Sequence, residues 1–498
     1  MTKRIARLVC LLMTVVLALA MFAGCKKDES NKSSSQVTSQ NTTSIKPTEE
    51  FELYNEDGLP KDLDLGGVTL KVAGPNEGLL FPSEKEVAKS TLAERRAEWI
   101  EEVCTKYNFT MEFVHYDVNS IPTVLMADLL SGDSVADICL PIVRQAGGFI
   151  QSRLCMDLRS EEMAEYLDFE KPWWDKTMLK ASSVDGATYC CTPHFTTSAD
   201  TTWVCYFNKA VLTEIGVDDD TIYDLQENYK WNWSEFTKYC KMAVKDLNDD
   251  GQMTKDDRWG FITADWHIFH NLCTAGGLNI IKTRDDGSYY VDLNNAQALT
   301  TLGQINNLLA NDNIFLSQGI PDMWNSFANG NTLFMIYQAQ AVRQDVIREM
   351  EDDFGIVLTP MGPDVDSYMA RAEQTSTTCF VPATSVNIRE TAIALQALAY
   401  ASWYYGVQDT LELNFLQYTR DDRSEWAITN VFNYTTYETD QLMYSIGVGG
   451  TWVDTMLSGS GFYRACITKN GDISGGVLSI SDQLQGILDT FYNQATGE

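Results

Sequence analysis

The stretch Val68-Thr69-Leu70-Lys71-Val72-Ala73-Gly74-Pro75 alternates apolar and polar side chains and then stops at a glycine and a proline. This pattern predicts a β-strand that ends in a turn. An amphipathic helical spacing follows over residues 91–107, and a second alternating run covers residues 110–116. A strand, a helix and another strand in this order predict a β-α-β unit with a parallel sheet.

The same succession of elements continues on the C-terminal side of this unit. The spacing predicts a helix over 121–130, a short buried strand over 137–141 and a strand over 203–208. Further helices are predicted over residues 210–215, 234–245, 296–309, 324–329 and 391–405, with mostly helical sequence from there to residue 492. The chain is therefore expected to have an α/β fold.

Two tryptophans flank the predicted start of the helix over 234–245. Trp231 and Trp233 lie beside Ser234, which we predict as the N-cap because a serine side chain accepts a hydrogen bond from the first helical turn. We expect both indoles to pack in the core.

The N-terminus has the parts of a secretory signal. Three basic residues precede the apolar run 8–22, which is followed by Ala23, Gly24 and Cys25. The run is too short to span a bilayer as a mature helix, and the pattern is typical of a bacterial lipoprotein. We predict a signal peptide over 1–24 and a lipid on Cys25. The residue at position 22 is Phe where Leu is commoner, and plain secretion is the alternative.

Residues 25–66 are predicted to form a flexible tether. The stretch 26–50 is rich in Ser, Thr, Asn, Gln and Lys and has no aromatic residue, so it cannot bury enough surface to fold. A flexible chain of this length has a root-mean-square reach of roughly 35 Å. It would hold the folded part just clear of a membrane, on the extracellular side.

The chain is strongly acidic. Its 69 acidic and 37 basic residues give a formal net charge of -32, and removal of Lys3, Arg4 and Arg7 with the signal takes the charge to -35. Such a surface repels nucleic acid, which excludes DNA and RNA as partners. The hydrophobic fraction of 44% is enough for a sizeable core, so most of the chain is expected to be globular.

Ten cysteines follow Cys25, and none of them forms a CxxC pair. Several, such as Cys139 and Cys205, lie in apolar runs and are expected to behave as small buried hydrophobes. Either one or two disulfides form that the spacing does not assign, or the protein works where thiols persist.

Short pieces along the chain carry a resemblance to a known family. They are Tyr206-Phe-Asn-Lys209, Trp231-Asn-Trp-Ser-Glu-Phe236, Trp259-Gly-Phe261, Phe327-Ala-Asn-Gly-Asn-Thr-Leu-Phe-Met335 and Phe354-Gly-Ile-Val-Leu-Thr-Pro360. In this order, behind a lipoprotein signal, the chain resembles the family 1 extracellular solute-binding proteins, which are capture subunits of ABC importers. Asn331-Thr-Leu departs from the commoner Lys-Val-Ala, and the sequence from Gln408 onward is only loosely similar.

The resemblance implies two α/β lobes that are joined by a hinge and hold the ligand in the cleft between them. It implies residues 67–196 and 320–375 for one lobe, and residues 197–319 and 376–498 for the other. The lobes would close around a solute, and the closed state would be recognised by the permease subunits. We expect a monomer without a catalytic cofactor.

The solute is expected to be a carbohydrate, and an oligosaccharide in particular. All twelve tryptophans follow the predicted signal. Aromatic faces suit sugar rings, and Asn, Asp, Gln and Arg side chains suit hydroxyl groups. The alternatives are a peptide-binding receptor and a surface-anchored glycan-active enzyme.

Position in the resemblance also implies which residues line the cleft, although a solvated surface position is the alternative for each charged one. The expected residues are Asn76, Glu77, Arg144, Asp200, Trp266, His267, Tyr337, Gln340, Arg343 and Trp452.

The loop after residue 245 has the donor spacing of a calcium site, with Gly251 at the sixth position for the turn. Its oxygen donors at positions one, three, five, seven, nine and twelve are Asp246, Asn248, Asp250, the Gln252 carbonyl, Thr254 and Asp257. The loop resembles EF-hand-like and dockerin-like loops, although Asp is shorter than the usual Glu at the twelfth position. We expect a structural Ca²⁺, with an uncoordinated acidic turn as the alternative.

Motifs of common enzyme classes are missing from the sequence. It has four histidines, and the pair His267 and His270 lacks the glutamate of HExxH. There is no GxSxG and no GxxxxGK motif. We therefore predict a binding protein and no enzyme, with paired carboxylates of a glycosidase as the alternative.

Overall fold

The structure is a computed structural model that describes residues 55–196, 201–263, 267–447, 451–457 and 461–497. The predicted signal peptide, Cys25 and most of the predicted tether lie outside these ranges. Within the described ranges, no helix combines the length and the apolar character that crossing a bilayer requires.

Strands and helices alternate along most of the described chain. The strands are β1 (Val68–Gly74), β2 (Phe109–His115), β3 (Ile138–Cys139), β4 (Ser183–Val184), β5 (Ala187–Thr188), β6 (Trp203–Asn208), β7 (Trp259–Thr263), β8 (Ile281–Thr283), β9 (Tyr289–Val291), β10 (Phe315–Ser317), β11 (Thr332–Gln338), β12 (Phe354–Leu358), β13 (Ala370–Arg371) and β14 (Thr435–Thr436). The α-helices are α1 (Glu84–Val87), α2 (Thr91–Tyr107), α3 (Met126–Leu130), α4 (Val143–Gln151), α5 (Glu161–Ala164), α6 (Lys176–Ala181), α7 (Lys209–Glu214), α8 (Asp220–Glu227), α9 (Trp233–Ala243), α10 (His267–Ala275), α11 (Ala296–Asn306), α12 (Asp322–Ala328), α13 (Asp345–Arg348), α14 (Ile388–Ala401), α15 (Val407–Thr410), α16 (Asp422–Tyr434), α17 (Thr439–Leu442), α18 (Trp452–Leu457), α19 (Tyr463–Ile467) and α20 (Ile473–Thr496).

The predicted β-α-β unit is confirmed. β1, β2 and β3 form a parallel sheet in the order β2-β1-β3, with Val68 opposite Phe109 in the first pair. Helix α2 starts at Ser90, whose hydroxyl accepts a hydrogen bond from the amide of Ala93, and ends at Asn108 in the left-handed conformation. Helix α14 packs against α2 and β1. We call the body around this sheet lobe 1.

A second sheet has five strands in the order β10-β7-β11-β6-β12. β7 pairs in parallel with β10 and β11, whereas β6 runs antiparallel to β11 and β12. Every residue of β6 is buried, as expected for an inner strand that is covered on both faces. Helices α9 and α16 pack on this sheet. We call the body around it lobe 2.

This pairing corrects the expected division of the chain between lobes. Residues 320–375 were expected beside β1, but β11 and β12 pair with β6 and β7 of lobe 2. Residues 376–498 were expected in lobe 2. Helix α16 packs there, but Phe380 pairs with Cys139 of lobe 1, and α14 packs against lobe 1 too. The main-chain hydrogen bonds decide the division, and they join stretches that are far apart in sequence.

Three stretches of chain pass between the lobes side by side. Thr202 pairs with Ala372, and the amide of Ala372 donates to the carbonyl of Thr436 at 3.1 Å. The hydroxyls of Thr202 and Thr435 lie 3.1 Å apart. We call these three stretches, around residues 201–203, 370–377 and 435–438, the hinge.

The tryptophans beside α9 pack in the core, as predicted. Trp231 and Trp233 are buried, and the indole nitrogen of Trp231 donates to the carbonyl of Leu358 at 3.0 Å. The predicted N-cap was wrong. The cap is Asn232, whose side-chain oxygen accepts from the amides of Ser234 and Glu235, so the helix starts one residue earlier.

The ten cysteines of the described chain are free thiols, and nine of them are buried. Burial raises the pKa of the Cys139 and Cys205 thiols above the ordinary range, so they stay protonated at neutral pH. This agrees with the expectation that they act as small hydrophobes.

The C-terminal helix α20 contacts both lobes. It packs against α4 and β4 of lobe 1 and against β9 and α11 of lobe 2. Gln485 fixes the lobe 2 side, because its side chain donates to the carbonyl of Tyr289 at 3.0 Å and accepts from the amide of Val291 at 3.1 Å.

A buried ionic cluster lies where β13 and β14 meet α10 and α17. The Arg371 guanidinium donates to Glu438 at 3.0 Å, to Asp440 at 2.8 Å and to the Thr274 hydroxyl at 3.2 Å. His270 Nε2 lies 3.4 Å from the Asp440 carboxylate. Burial raises the pKa of Glu438 to about 7, with Asp440 adding to the rise and Arg371 opposing it. Because burial disfavours the charged carboxylate and Asp440 adds a second negative charge, Glu438 holds a proton more readily than a solvated glutamate does.

This cluster predicts how stability depends on pH. The ordinary pKa of a glutamate is 4.5, and that of Glu438 in the folded protein is about 7. The contribution of Glu438 is therefore complete below about pH 4.5 and is lost as the pH rises through about 7. We expect the melting temperature to fall by about 1–3 °C over this interval through Glu438 alone. Glu438→Gln should flatten that part of the profile, whereas Glu161→Gln on the surface should not. Parallel profiles for wild type and Glu438→Gln would contradict the assignment.

Candidate functional site

The hinge stretch 373–377 receives residues from lobe 1. The side-chain amide of Asn76, which follows β1, donates to the Thr377 hydroxyl at 3.2 Å. The backbone amide of Arg144, in the first turn of α4, donates to the carbonyl of Gln374 at 3.0 Å. Both residues follow the carboxyl end of a parallel strand, which is where ligands bind in open α/β sheets.

Lobe 2 brings aromatic side chains to the same stretch. The indole nitrogen of Trp203 donates to the Glu373 carboxylate at 3.2 Å. The ring of Tyr337, at the end of β11, meets Trp203 edge-on at 5.5 Å, and it also meets Trp324 edge-on at 6.2 Å. Trp203 is buried, whereas Tyr337 and Trp324 are half-buried and keep part of their surface accessible. Burial, and then the nearby Glu373 carboxylate, raise the pKa of Tyr337 to about 12, so its hydroxyl is neutral and can donate or accept a hydrogen bond.

Arg144 also contacts the C-terminal region. Its guanidinium lies 5.7 Å from the centre of the Tyr444 ring. Burial raises the pKa of Tyr444, while Arg144 and a hydrogen bond with Gln374 act in the opposite direction. Asn76, Arg144, Trp203, Trp324, Tyr337, Glu373, Gln374, Thr377 and Tyr444 together form what we call the hinge site.

A cavity of about 920 Å³ opens next to Asn76. It lies at the carboxyl ends of β1 and β2, between the loop after β1 and the first turn of α2. Asn76 and Glu77 line it, and both are exposed. The volume is sufficient for a ligand of several rings.

The ten residues that were expected to line the cleft lie in several different places. Asn76, Arg144 and Tyr337 meet at the hinge site, and Glu77 lines the adjoining cavity. Gln340 lies just beyond β11, where its amide donates to Gln338, and Arg343 stacks over Phe415 at 6.0 Å. Trp452 is 1% exposed and packs in the core. His267 is the first residue of α10, and Asp200 and Trp266 lie outside the described residues.

Sequence reasoning did not select Glu373, Gln374 or Tyr444. It included Trp203 and Trp324 only among the tryptophans that suit sugar rings, and not among the residues expected at the cleft. One signal could have found the hinge stretch. Residues 373–378 read Glu-Gln-Thr-Ser-Thr-Thr, and five of these six polar residues are buried. A polar run that is flanked by apolar residues on both sides is unusual for a loop on the surface, since buried polar groups need partners.

The predicted calcium loop closes on itself through hydrogen bonds. Asp246 accepts from the amide of Gly251 at 2.7 Å, Asn248 from that of Asp250, and Asp250 from that of Gln252. Gly251 has a φ of 79°, which is the left-handed conformation expected at the sixth position of such a loop, and glycine adopts it without strain.

The end of the loop is tied differently. Asp257 accepts from the amides of Leu247 at 3.0 Å and Thr254 at 2.7 Å, and these bonds lower its pKa. One oxygen of Asp246 is buried without a hydrogen-bond partner among the described residues. Across the described ranges, no cluster of three or more His, Cys, Asp or Glu side chains has the arrangement of a metal site. Calcium binding therefore stays a prediction.

Solved structures share the fold at low sequence identity. The ABC substrate-binding protein Lmo0181 from Listeria monocytogenes, in complex with cycloalternan, is 14% identical with a TM-score of 0.51, over 86% of this chain and 99% of that one. UgpB from Mycobacterium tuberculosis, in complex with glycerophosphocholine, is 15% identical with a TM-score of 0.54, over 85% and 99%. The cyclic α-maltosyl-1,6-maltose binding protein from Arthrobacter globiformis is 13% identical with a TM-score of 0.52, over 87% and 100%. At these identities the likeness shows the fold, which is that of the two-lobed solute-binding proteins.

The family assignment comes from the sequence. No curated protein matches the chain. Residues 92–409, more than half of the chain, match the model of the bacterial extracellular solute-binding proteins. By this match, the chain belongs to the bacterial extracellular solute-binding protein family.

Proposed function

We propose that this protein captures a carbohydrate between its lobes and delivers it to the permease of an ABC importer. The observation that carries the proposal is the composition of the hinge site. One polar stretch, 373–377, takes Asn76 and Arg144 from lobe 1 and Trp203 from lobe 2, and Tyr337 and Trp324 flank it. A ligand at this point would contact both lobes and would therefore stabilise the closed state.

The chemistry of the site favours a sugar over a peptide. Tyr337 and Trp324 offer partly accessible rings that suit the C–H faces of a sugar, and Glu373, Gln374 and Asn76 carry carboxylate and amide groups of the kind that bind hydroxyls. The binding of sugars by two of the structural relatives named above adds support. The family consists of binding proteins, and we propose that no bond in the solute is broken.

The test is the intrinsic fluorescence and thermal shift of residues 26–498 against a panel of oligosaccharides and peptides. We expect a saturable response to a sugar that is recovered unchanged by chromatography. A response to peptides alone, or conversion of the sugar, would replace the proposal by one of the two alternatives.

Tyr337→Ala should weaken sugar binding about tenfold, which corresponds to about 1.4 kcal/mol, because the ring loses its contact with the sugar. Isothermal titration calorimetry measures the effect. Tyr404→Ala is the control, since Tyr404 is 55% exposed and stacks on Tyr400, in the segment that follows α14 of lobe 1. Equal affinities for both variants would remove Tyr337 from the binding site.

We also propose that a lipid on Cys25 holds the protein at the outer face of the cell membrane. The support is the sequence of the first 25 residues. We expect radiolabelled palmitate to be incorporated into the wild-type protein and not into Cys25→Ala. The variant should leave the membrane fraction while binding sugar as before. Incorporation into Cys25→Ala would place the lipid elsewhere or contradict the anchor.

We further propose that the loop 246–257 binds a structural Ca²⁺, with the unpaired oxygen of Asp246 in its support. A weak extracellular site with a dissociation constant of about 10⁻⁴ M would stabilise the fold by about 1.4 kcal/mol at about 1 mM Ca²⁺. The melting temperature should therefore rise with CaCl₂ and return with a chelator. Asp250→Asn should abolish the rise, and Asp285→Asn, in another acidic turn, should not. A melting temperature that does not respond to Ca²⁺ would favour the uncoordinated turn.

A further inference from the structure

The cavity beside Asn76 differs in charge from the rest of the molecule. The whole chain has almost two acidic residues for every basic one. In the cavity, basic side chains outnumber acidic ones by three to two. Its lining includes Lys85, Lys89 and Arg96, together with Glu77, Glu86 and His115. With histidine neutral, these side chains carry a net charge of +1.

The neighbours of these charges show which of them can meet a ligand. The Glu86 carboxylate is used by the cap of α1, where it accepts from the amide and the hydroxyl of Ser83, both at 2.7 Å. Arg96 donates to the carbonyl of Gly78 at 3.1 Å, which holds its guanidinium against the cavity wall. Among the described residues, neither Lys85 nor Lys89 forms an ion pair, and both side chains are exposed at the cavity.

The two lysines line a cavity that adjoins the hinge site, so they lie within reach of a ligand bound there. Asn76 belongs to both the cavity and the hinge site, because it lines the one and donates to Thr377 in the other. A ligand that is bound at the hinge site and extends past Asn76 enters the cavity. Any group that it carries there meets the exposed ammonium groups of Lys85 and Lys89.

We propose that the solute is an acidic carbohydrate, with the carboxylate of a uronic acid unit placed between Lys85, Lys89 and Arg96. This inference rests on the proposed function. A net charge of +1 is balanced by a single carboxylate, whereas a phosphate monoester would bring about two negative charges. Lysine amines are flexible point charges that suit a monodentate contact with a sugar acid.

The lysines are exposed, so their effect is moderate and sensitive to salt. An ion pair in such a position contributes little more than a neutral hydrogen bond, and salt screens it. Two such pairs correspond to a preference of about tenfold at low ionic strength, with most of it lost in about 0.5 M NaCl.

The experiment compares acids with their own methyl esters. Calorimetry of residues 26–498 would use oligogalacturonate, oligoguluronate and a glucuronic-acid-bearing xylo-oligosaccharide, each as the free acid and as the neutral ester. We expect at least one acid to bind about tenfold more tightly than its ester in 20 mM NaCl, with the ratio falling as salt is added. Sugars that bind equally well as acid and ester, or a panel in which neutral sugars bind best, would overturn the inference and leave the proposed function standing. Preference for a sulfated sugar over its uronate counterpart would contradict the assignment of a carboxylate as the bound group. Binding of peptides and of no sugar would overturn both.

Variants separate local charge from total charge. Lys85→Gln with Lys89→Gln should bring the ratio of acid to ester affinity below about threefold and leave the ester affinity within about twofold. The corresponding double arginine variant should keep the preference. Lys61→Gln with Lys230→Gln removes the same charge from exposed positions elsewhere and is the control. An equal loss of preference in the control pair would assign the effect to the net charge of the protein and contradict the site.

Discussion

Three strands of chain cross between the lobes within hydrogen-bonding distance of one another, and the rest of the molecule depends on this crossing. Ala372 is its centre, since it pairs with Thr202 on one side and donates to Thr436 on the other. The bonds are between backbone groups and are buried, so breaking them would leave unpaired amides in the interior. The crossing must therefore stay intact while the lobes move, and it fixes where a ligand can touch both of them.

The charges follow from the same geometry. The residues next to the crossing are buried, and several of them, such as Glu373, Gln374 and Thr377, are nevertheless polar. Arg371, Glu438 and Asp440 neutralise one another largely within the protein, whereas Glu373 is held by the indole of Trp203. The Lys85 and Lys89 charges have no such partner among the described residues. The charged side chains beside the hinge are thus paired with one another, whereas the two lysines at the cavity have no ion-pair partner among the described residues.

The sequence predicted the local structure well and the long-range pairing poorly. Alternation and helical spacing gave β1, α2 and β2 almost to the residue, because these patterns depend on neighbours a few positions apart. The pairing of β11 with β6 joins residues more than a hundred positions apart, and nothing in either strand specifies the partner. Asn76, Arg144 and Tyr337 could be proposed from their place in the family resemblance. Glu373 and Tyr444 could not, because they reach the site through contacts with Trp203 and Arg144, which are far away in the sequence. At α9, Asn232 and Ser234 are both good caps, and the choice between them depends on where the loop after α8 enters the helix.

Helix α20 has a consequence for how far the lobes can separate. If the three hinge stretches were the only connection between the lobes, the lobes could rotate widely relative to each other, limited by strain in a few backbone torsions. Here a helix of 24 residues rests on α4 of lobe 1 and on β9 of lobe 2, away from the crossing. Opening has to slide or tilt this helix against one of its two supports, and packed helices slide by small steps. The range of motion is thus set by the far end of the chain, and changes at the C-terminus, including fused tags, would act on the lobe movement from a distance.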